Sequence, residues 1–207
     1  LEAGLAAALM AKRLFDLFFA GAGVLLLSPL LLLLALAIKL DSPGPVFFRQ
    51  ERVGQFGRLF RIHKFRTMAT NSEREGLQIT VGADARITRV GAFLRQHKLD
   101  ELAQLLDVLK GDMSLVGPRP EVPRYVACYP EDVRRQVLSV KPGITDRASI
   151  EFKDENAILG RAVDAERAYI DLVLPIKLGF YQEYVKTHSI IGDLQIIFAT
   201  FAAVLRR

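Results

Sequence analysis

The sequence predicts an α+β fold, mostly helical, in which an N-terminal membrane helix leads into a body made of a small β-hairpin and amphipathic helices. Three observations carry that expectation. Residues 17–38 (LFFAGAGVLLLSPLLLLLALAI) contain no charge. Two β-prone runs, 46–52 and 59–66, flank Gly54-Gln55-Phe56-Gly57. Leucines then recur at helical spacing after residue 98. A chain of 207 residues has room for an anchor and one ordinary domain. The boundaries read as 12–40 for the anchor and 41–207 for the catalytic-size remainder.

The apolar segment of 22 residues would be about 33 Å long as a straight helix, enough to cross a bilayer. It is too long for a secretory signal and lacks a small-residue cleavage site. Pro29 removes one backbone donor, and its ring presses on the carbonyl of Leu25, so Ser28-Pro29 marks a break or kink. Lys12 and Arg13 precede the segment; Lys39, Arg49 and Arg52 follow it. Basic flanks at both ends favour neither for export. Two arrangements satisfy these facts: a bent helix that enters and leaves on one side, and an ordinary kinked transmembrane helix. Asp16 reads as an interfacial or inward-facing acid, because burial among lipid tails is costly. The first ten residues, LEAGLAAALM, are set aside from the fold.

Asp41-Ser42-Pro43-Gly44-Pro45 ends the anchor helix. In the second strand, LFRIHKFRTM, apolar and basic residues alternate, so that cations line one side and aromatics the other; a solvated basic edge strand is the plainer alternative. Residues 69–82 read as a polar loop. Residues 87–95 form a helix with Val90, Phe93 and Leu94 inward. Residues 99–109 form one amphipathic helix whose core stripe is Leu99, Leu102, Leu105, Leu106 and Leu109, stopped at Gly111. Gly117-Pro118-Arg119-Pro120 forces a rigid irregular loop. Further helices are expected at 125–139, 164–169, 176–187 and 190–205, with a turn at Lys141-Pro142-Gly143. The last helix is apolar around most of its circumference, which suits a lipid interface or packing on the core.

Charge and composition narrow the chemistry. The net charge is +5, and residues 41–100 carry eleven Lys and Arg against six Asp and Glu. Phosphates, nucleotides and anionic head groups are the natural partners of that field. Cys128 is the single cysteine, which excludes an internal disulfide and a Cys-rich zinc site. His63, His97 and His188 are scattered and read as surface or structural residues. Any metal here is a hard cation on carboxylate and phosphate oxygens. A basic module binding acidic lipid or nucleic acid through residues 49–98 is the non-enzymatic alternative; no nucleic-acid motif supports it.

Within the basic stretch stands an adjacent acid pair, Asp100 and Glu101, at the start of the leucine-spaced run. An ionised Asp is a competent nucleophile toward phosphorus. A carboxylate and a diphosphate repel, so such a site needs cations: Lys64, Arg66, Arg95, Arg119 and a Mg²⁺ held by the acids. The plainer reading of the pair is as helix-start residues, and of Arg119 as a structural ion-pair partner.

Several separated motifs in order resemble the monotopic phosphoglycosyl transferases, the bacterial sugar transferase family. They are the apolar segment with Ser28-Pro29, Gln50-Glu51-Arg52-Val53-Gly54, Lys64-Phe65-Arg66-Thr67-Met68, Leu99-Asp100-Glu101-Leu102, Leu109-Lys110-Gly111-Asp112-Met113-Ser114, Gly117-Pro118-Arg119-Pro120 and Lys141-Pro142-Gly143-Ile144-Thr145. The resemblance implies a reentrant membrane helix broken at Ser28 and Pro29, on the cytoplasmic face of the bacterial inner membrane. It implies transfer of a phospho-sugar from a nucleotide diphosphate-sugar, with UDP as the expected nucleotide, to undecaprenyl (polyprenol) phosphate, the first membrane step in bacterial polysaccharide, lipopolysaccharide or other glycoconjugate assembly. Asp100 would take the phospho-sugar and release UMP. Glu101 would assist as a base or a Mg²⁺ ligand beside Asp100; Lys64, Arg66, Arg95 and Arg119 would bind phosphate. Partners are then the two substrates and membrane lipid, with no nucleic acid; a homodimer is admitted. Two other enzymatic readings stay open: the same substrates in a ternary complex, and glycosyl transfer onto a lipid-linked sugar. The sequence departs from the family at Ala103, where Pro is common, and at Asp146-Arg147, where Gly is common; the second change falls in a loop expected to touch nucleotide or sugar. A minimal catalytic form, without a large preceding membrane domain, is expected.

Overall fold

In the computed structural model, the described residues are 2–70, 85–152, 159–160 and 162–205. The expected polar loop at 69–82 lies outside them except for its first two residues, as do the two terminal arginines.

Helix α1 runs Glu2–Asp41 and includes the residues set aside above. Its hydrogen-bonded pattern continues through Pro29, where the sequence predicts a break. The carbonyl that Pro29 cannot serve, that of Leu25, accepts instead from Ser28 Oγ at 2.8 Å, so the Ser-Pro pair costs less backbone bonding than proline alone. Asp16, Ala20, Leu34 and Ile38 are buried against the rest of the chain, at a spacing near the helical period. Phe18, Leu25, Leu26, Leu32, Leu33, Leu36 and Leu40 are exposed on the other side. A soluble helix would carry polar residues there; this face is apolar throughout, as a lipid-facing surface requires. Asp16 turns inward as expected: Lys12 donates to it at 2.7 Å and the Leu115 N–H at 3.2 Å.

Both flanks of the apolar segment are tied to the same body. Arg13 donates to the carbonyls of Val108 and Leu109, at 2.7 and 3.1 Å. At the other end Asp41 accepts from the Val90 N–H at 3.0 Å. Arg66, expected from the sequence to bind phosphate, faces this end of α1. It is buried, and its guanidinium donates to the carbonyls of Pro43, Ser42 (2.7 Å) and Ile38 (3.4 Å). It thus closes the C-terminal end of α1, where carbonyls lack helical partners.

The expected hairpin forms. Strands β1 (Phe47–Val53) and β2 (Leu59–Phe65) pair antiparallel with Gln50 opposite Ile62. A short 3₁₀ turn, Gln55–Gly57, joins them, with Phe56 in the left-handed region at φ 57°. β2 is not a solvated edge: Ile62, His63 and Phe65 are all buried. Ile62 packs with Ala20, Leu105 and Val108, and Phe65 with Leu34, Leu94 and Ala103. The hairpin is therefore clamped between α1 and the elements that follow.

Helix α2 (Arg89–Gln96) is capped by Thr88, whose side chain accepts from the Gly91 N–H. A Cβ at residue 91 would lie 2.0 Å from the Thr67 carbonyl oxygen, so only glycine lets α2 sit this close to the segment that follows β2. The single helix expected at 99–109 is two elements. Leu99–Gln104 is a 3₁₀ helix entered through Lys98 at φ 56°; α3 (Leu105–Lys110) follows and stops at Gly111, φ 93°. The buried residues are Asp100, Ala103, Gln104, Leu105, Asp107 and Val108, so the tight turn rotates part of the leucine stripe off the core.

Beyond α3, β3 (Ser114–Val116) pairs parallel with β4 (Gly143–Thr145), a contact with no sequence expectation behind it. Glycine meets glycine at the crossing: a Cβ on Gly143 would fall 2.1 Å from the Gly117 nitrogen. The expected helix 125–139 is divided at Pro130 into α4 (Pro123–Val126) and α5 (Glu131–Val137). Then come α6 (Arg147–Glu151), α7 (Ala165–Ala168), a π-helical segment Tyr169–Val173, α8 (Leu174–Thr187) and α9 (Ile190–Leu205). The elements up to α8 pack around Tyr125, Tyr169, Leu178 and Tyr181, and α9 lies against α6, β3 and β4. Ile191, Phe198 and Phe201 of α9 remain exposed.

Candidate active site

The acid pair sits in the 3₁₀ helix between α2 and α3, directly over β2. Leu94 of α2 packs with Ala103 from above, and Phe65 of β2 from below. Asp100 is only 3% exposed. Lys64, next to Phe65 on the strand, brings its Nζ to 2.9 Å from Asp100 Oδ2 and 3.4 Å from Glu101 Oε1. One ammonium thus bridges both carboxylates. Asp100 Oδ1 is buried and has no hydrogen-bond partner among the described residues.

Arg119 engages Glu101 as a fork: Nη1 donates to Oε2 at 3.2 Å and Nη2 donates to Oε1. Two-point pairing of this kind fixes orientation as well as charge. The loop that carries Arg119 is stitched on both sides. Gly117 N–H donates to Thr145 O at 3.1 Å and Gly143 N–H to Pro118 O at 3.0 Å. On the other side Arg52 donates to Pro120 O at 3.0 Å, and the Val53 N–H to Glu121 O at 2.9 Å. The rigidity expected from Gly-Pro-Arg-Pro is therefore supplied by strand β4 and the end of β1 as much as by the prolines.

The electrostatics follow from this packing. Burial by itself would raise the Glu101 carboxyl, but the charges of Arg119 and Lys64 outweigh it and hold the group well below the usual carboxylate range. Glu101 in turn, against the opposing effect of burial, holds the Arg119 guanidinium proton well above its ordinary value. Burial raises the Asp146 carboxyl; its bonds from Ser149 and the charges of Arg119 and Lys177 oppose the rise.

The sequence placed the acids over a helix N-terminus, where the dipole would favour negative charge. The six-residue 3₁₀ turn supplies little of that; Lys64 and Arg119 supply the compensation instead. Of the four expected phosphate ligands, these two converge on the pair. Arg95 lies in the last turn of α2, the helix packed on the acid-bearing turn. Arg66 is committed to α1, as described. At the departure Asp146-Arg147, Asp146 caps α6 by accepting from the Ser149 N–H (2.9 Å) and Oγ (2.6 Å), and the exposed Arg147 pairs with Glu183 at 2.8 Å. Sequence reasoning did not single out Glu121, which accepts from Tyr169 Oη at 2.5 Å behind the arginine loop. The Asp-x-x-Ser spacing at 146–149 was a legible cap signal.

Among the described residues no three His, Cys, Asp or Glu side chains converge as a metal cage. The acid pair nevertheless suits a hard cation that is shared with phosphate oxygens. Asp100 Oδ1 is an anionic oxygen with no donor on it, and Mg²⁺ is commonly held by one or two carboxylates plus substrate phosphates.

The sequence model of the family described as "Bacterial sugar transferase" matches residues 7–207. The chain is 42% identical over 196 residues to the UDP-N-acetylgalactosamine-undecaprenyl-phosphate N-acetylgalactosaminephosphotransferase of Aeromonas hydrophila, covering 94% of this chain and 43% of that protein. It is 42% identical over 200 residues to the undecaprenyl-phosphate glucose phosphotransferase of Komagataeibacter xylinus, covering 93% and 35%. The exopolysaccharide production protein PSS of Rhizobium leguminosarum bv. phaseoli is 39% identical over 210 residues, covering 96% and 97%. The chain thus spans less than half the length of the first two relatives and nearly all of the third.

Proposed function

We propose that this chain, which belongs to the bacterial sugar transferase family, is a phosphoglycosyl transferase that moves a sugar 1-phosphate from a UDP-sugar to undecaprenyl phosphate. The relatives are named for that acceptor and for phosphosugar transfer. The observation that carries the mechanism is Asp100, a carboxylate enclosed by Lys64 with one oxygen unpartnered. In the first half-reaction an Asp100 oxygen attacks the sugar-bearing phosphorus. A P–O bond to the nucleotide breaks, UMP leaves, and an aspartyl phospho-sugar remains. In the second, an oxygen of undecaprenyl phosphate attacks the same phosphorus and Asp100 is restored. Glu101 does not compete as nucleophile, since Arg119 holds both its oxygens. An arriving diphosphate draws Lys64 toward itself, which uncovers Asp100 at the moment of binding, while Arg119 keeps its fork on Glu101 and offers its remaining N–H groups to phosphate. Asp100 and Glu101 are the residues that would hold Mg²⁺, which when bound neutralises phosphate charge.

The test is order of release. Incubation of the protein with UDP-glucose or UDP-N-acetylgalactosamine and Mg²⁺, without undecaprenyl phosphate, is expected to liberate about one equivalent of UMP per active site. UMP that appears only after the acceptor is added overturns the two-step reading.

The same proposal places α1 in one leaflet, on the cytoplasmic face of the inner membrane. Its support is that Arg13 and Asp41, at the two ends of the apolar segment, bond to one body; a helix crossing the bilayer would have its ends about 30 Å apart on opposite sides. An Ala11→Cys, Cys128→Ser variant should resist a membrane-impermeant maleimide applied to intact cells. Labelling from outside defeats the one-leaflet arrangement.

A further inference from the structure

Behind the acid pair lies a second buried polar contact that the proposed chemistry does not use. Asp107, in α3, has no exposed surface. Its Oδ2 accepts from the His63 backbone N–H at 2.7 Å, and its Oδ1 lies 2.5 Å from His63 Nδ1. On the other edge of the ring, His63 Nε2 is 2.7 Å from Arg49 Nη1 and 3.3 Å from Lys110 Nζ. Guanidinium and ammonium groups only donate. Nε2 therefore accepts, and the ring proton sits on Nδ1, where it is donated to Asp107. Arg49 is itself fixed as the cross-strand partner of His63 and donates to Arg61 O at 2.9 Å.

This contact spans the two elements that meet at the site. His63 is on β2, one residue before Lys64; Asp107 is on α3, continuous with the turn that carries Asp100 and Glu101. Apart from Lys64 itself, whose ammonium meets both acids, and Lys110, whose ammonium lies against the His63 ring, the links between β2 and this region are apolar, through Ile62 with Leu105 and Phe65 with Ala103. Apolar contact is non-directional and tolerates sliding. A two-point hydrogen bond to one carboxylate does not.

We propose that His63 and Asp107 are positioning residues that set the height of Lys64 above the Asp100–Glu101 pair. Catalytic geometry is sensitive to displacements of about 1 Å, and Lys64 is the cation that touches both acids. The catalytic consequence rests on the transferase reading above; the placement of Lys64 does not.

Two measurements on the full chain in nanodiscs test it. The first is the acylation rate of Lys64 by a water-soluble N-hydroxysuccinimide ester, read by peptide mass spectrometry. His63→Ala and Asp107→Asn are expected to raise that rate several-fold, with His63→Asn, which keeps a donor, close to the native value. Lys177, buried in the other half of the molecule, serves as the reference and is expected to stay protected. Should His63→Ala not fold, as Lys177 labelling would reveal, the Asp107→Asn and His63→Asn pair carries the comparison. Lys64 protection unchanged in folded variants overturns the proposal. The second is a cycle of UMP release with Lys64→Ala, His63→Ala and the double variant. His63→Ala is expected to lower kcat roughly ten-fold alone and little in the Lys64→Ala background. Equal losses in both backgrounds overturn positioning through Lys64. If the unsubstituted protein releases no UMP from either donor, the transferase reading fails, and the labelling result still decides where Lys64 is held.

Discussion

Asp100→Asn is expected to remove turnover by at least about 10³-fold, the scale seen when a covalent nucleophile is lost. The substitution keeps shape and burial but replaces an anionic oxygen by an amide, which does not form an acyl phosphate. Glu101 cannot take over, because Arg119 occupies both of its oxygens. The measurement is paired: steady-state UMP release, and intact mass after incubation with donor alone. The native chain should gain one phospho-sugar and the variant none. Product formation by Asp100→Asn at the native rate would remove Asp100 from the reaction, whatever the family.

Arg119→Met is the second large effect, and it separates stability from catalysis. Glu101 is mostly buried and its fork to Arg119 is the main stabiliser of its charge. Removing one partner of a fully buried pair costs about 3–5 kcal/mol; with part of this pair open to solvent, roughly 2–3 kcal/mol is expected at pH 7. The sign of the pH dependence follows from the shift. In the native chain Glu101 has a depressed pKa, so its contribution is present above the unfolded value and is lost as pH falls through the folded one. In the variant the Glu101 pKa is higher. The stability gap between the two proteins therefore widens with rising pH across the interval between those folded pKa values, and narrows in acid. Urea melts of detergent-solubilised protein between pH 3 and 8 read this directly. A gap independent of pH would mean that Arg119 does not hold the Glu101 charge. Activity should fall as well, since the loop would present no cation to the diphosphate.

The parts legible in the sequence are those written in local pattern. The hairpin around Gly54 and Gly57 and the helix at 190–205 formed within a residue or two of expectation, and the charge-free run at 17–38 is helical throughout, inside a longer helix that starts at Glu2. Periodicity and turn chemistry are short-range properties, so one sequence suffices to read them. The leucine run misled because spacing alone does not distinguish a 3₁₀ turn from an α-helix; Lys98 in the left-handed region and the close approach of Phe65 tighten it. The β3–β4 pair was hidden because three residues are too few to show alternation, and the partners lie some thirty positions apart.

The same division runs through the site. Residue types and charge balance were enough to point to the acid pair and its need for cations, because those follow from Coulomb's law and from the cost of burying charge. Which cations answer was settled only by three-dimensional packing. Lys64 and Arg119 reach the acids because β2 lies beneath the turn and the Gly-Pro-Arg-Pro loop is tied to β4. Arg66, two residues from Lys64 and equally basic, bonds instead to the end of α1. A side chain's charge is a property of its chemistry, whereas its partner is decided by long-range contacts that no local pattern encodes.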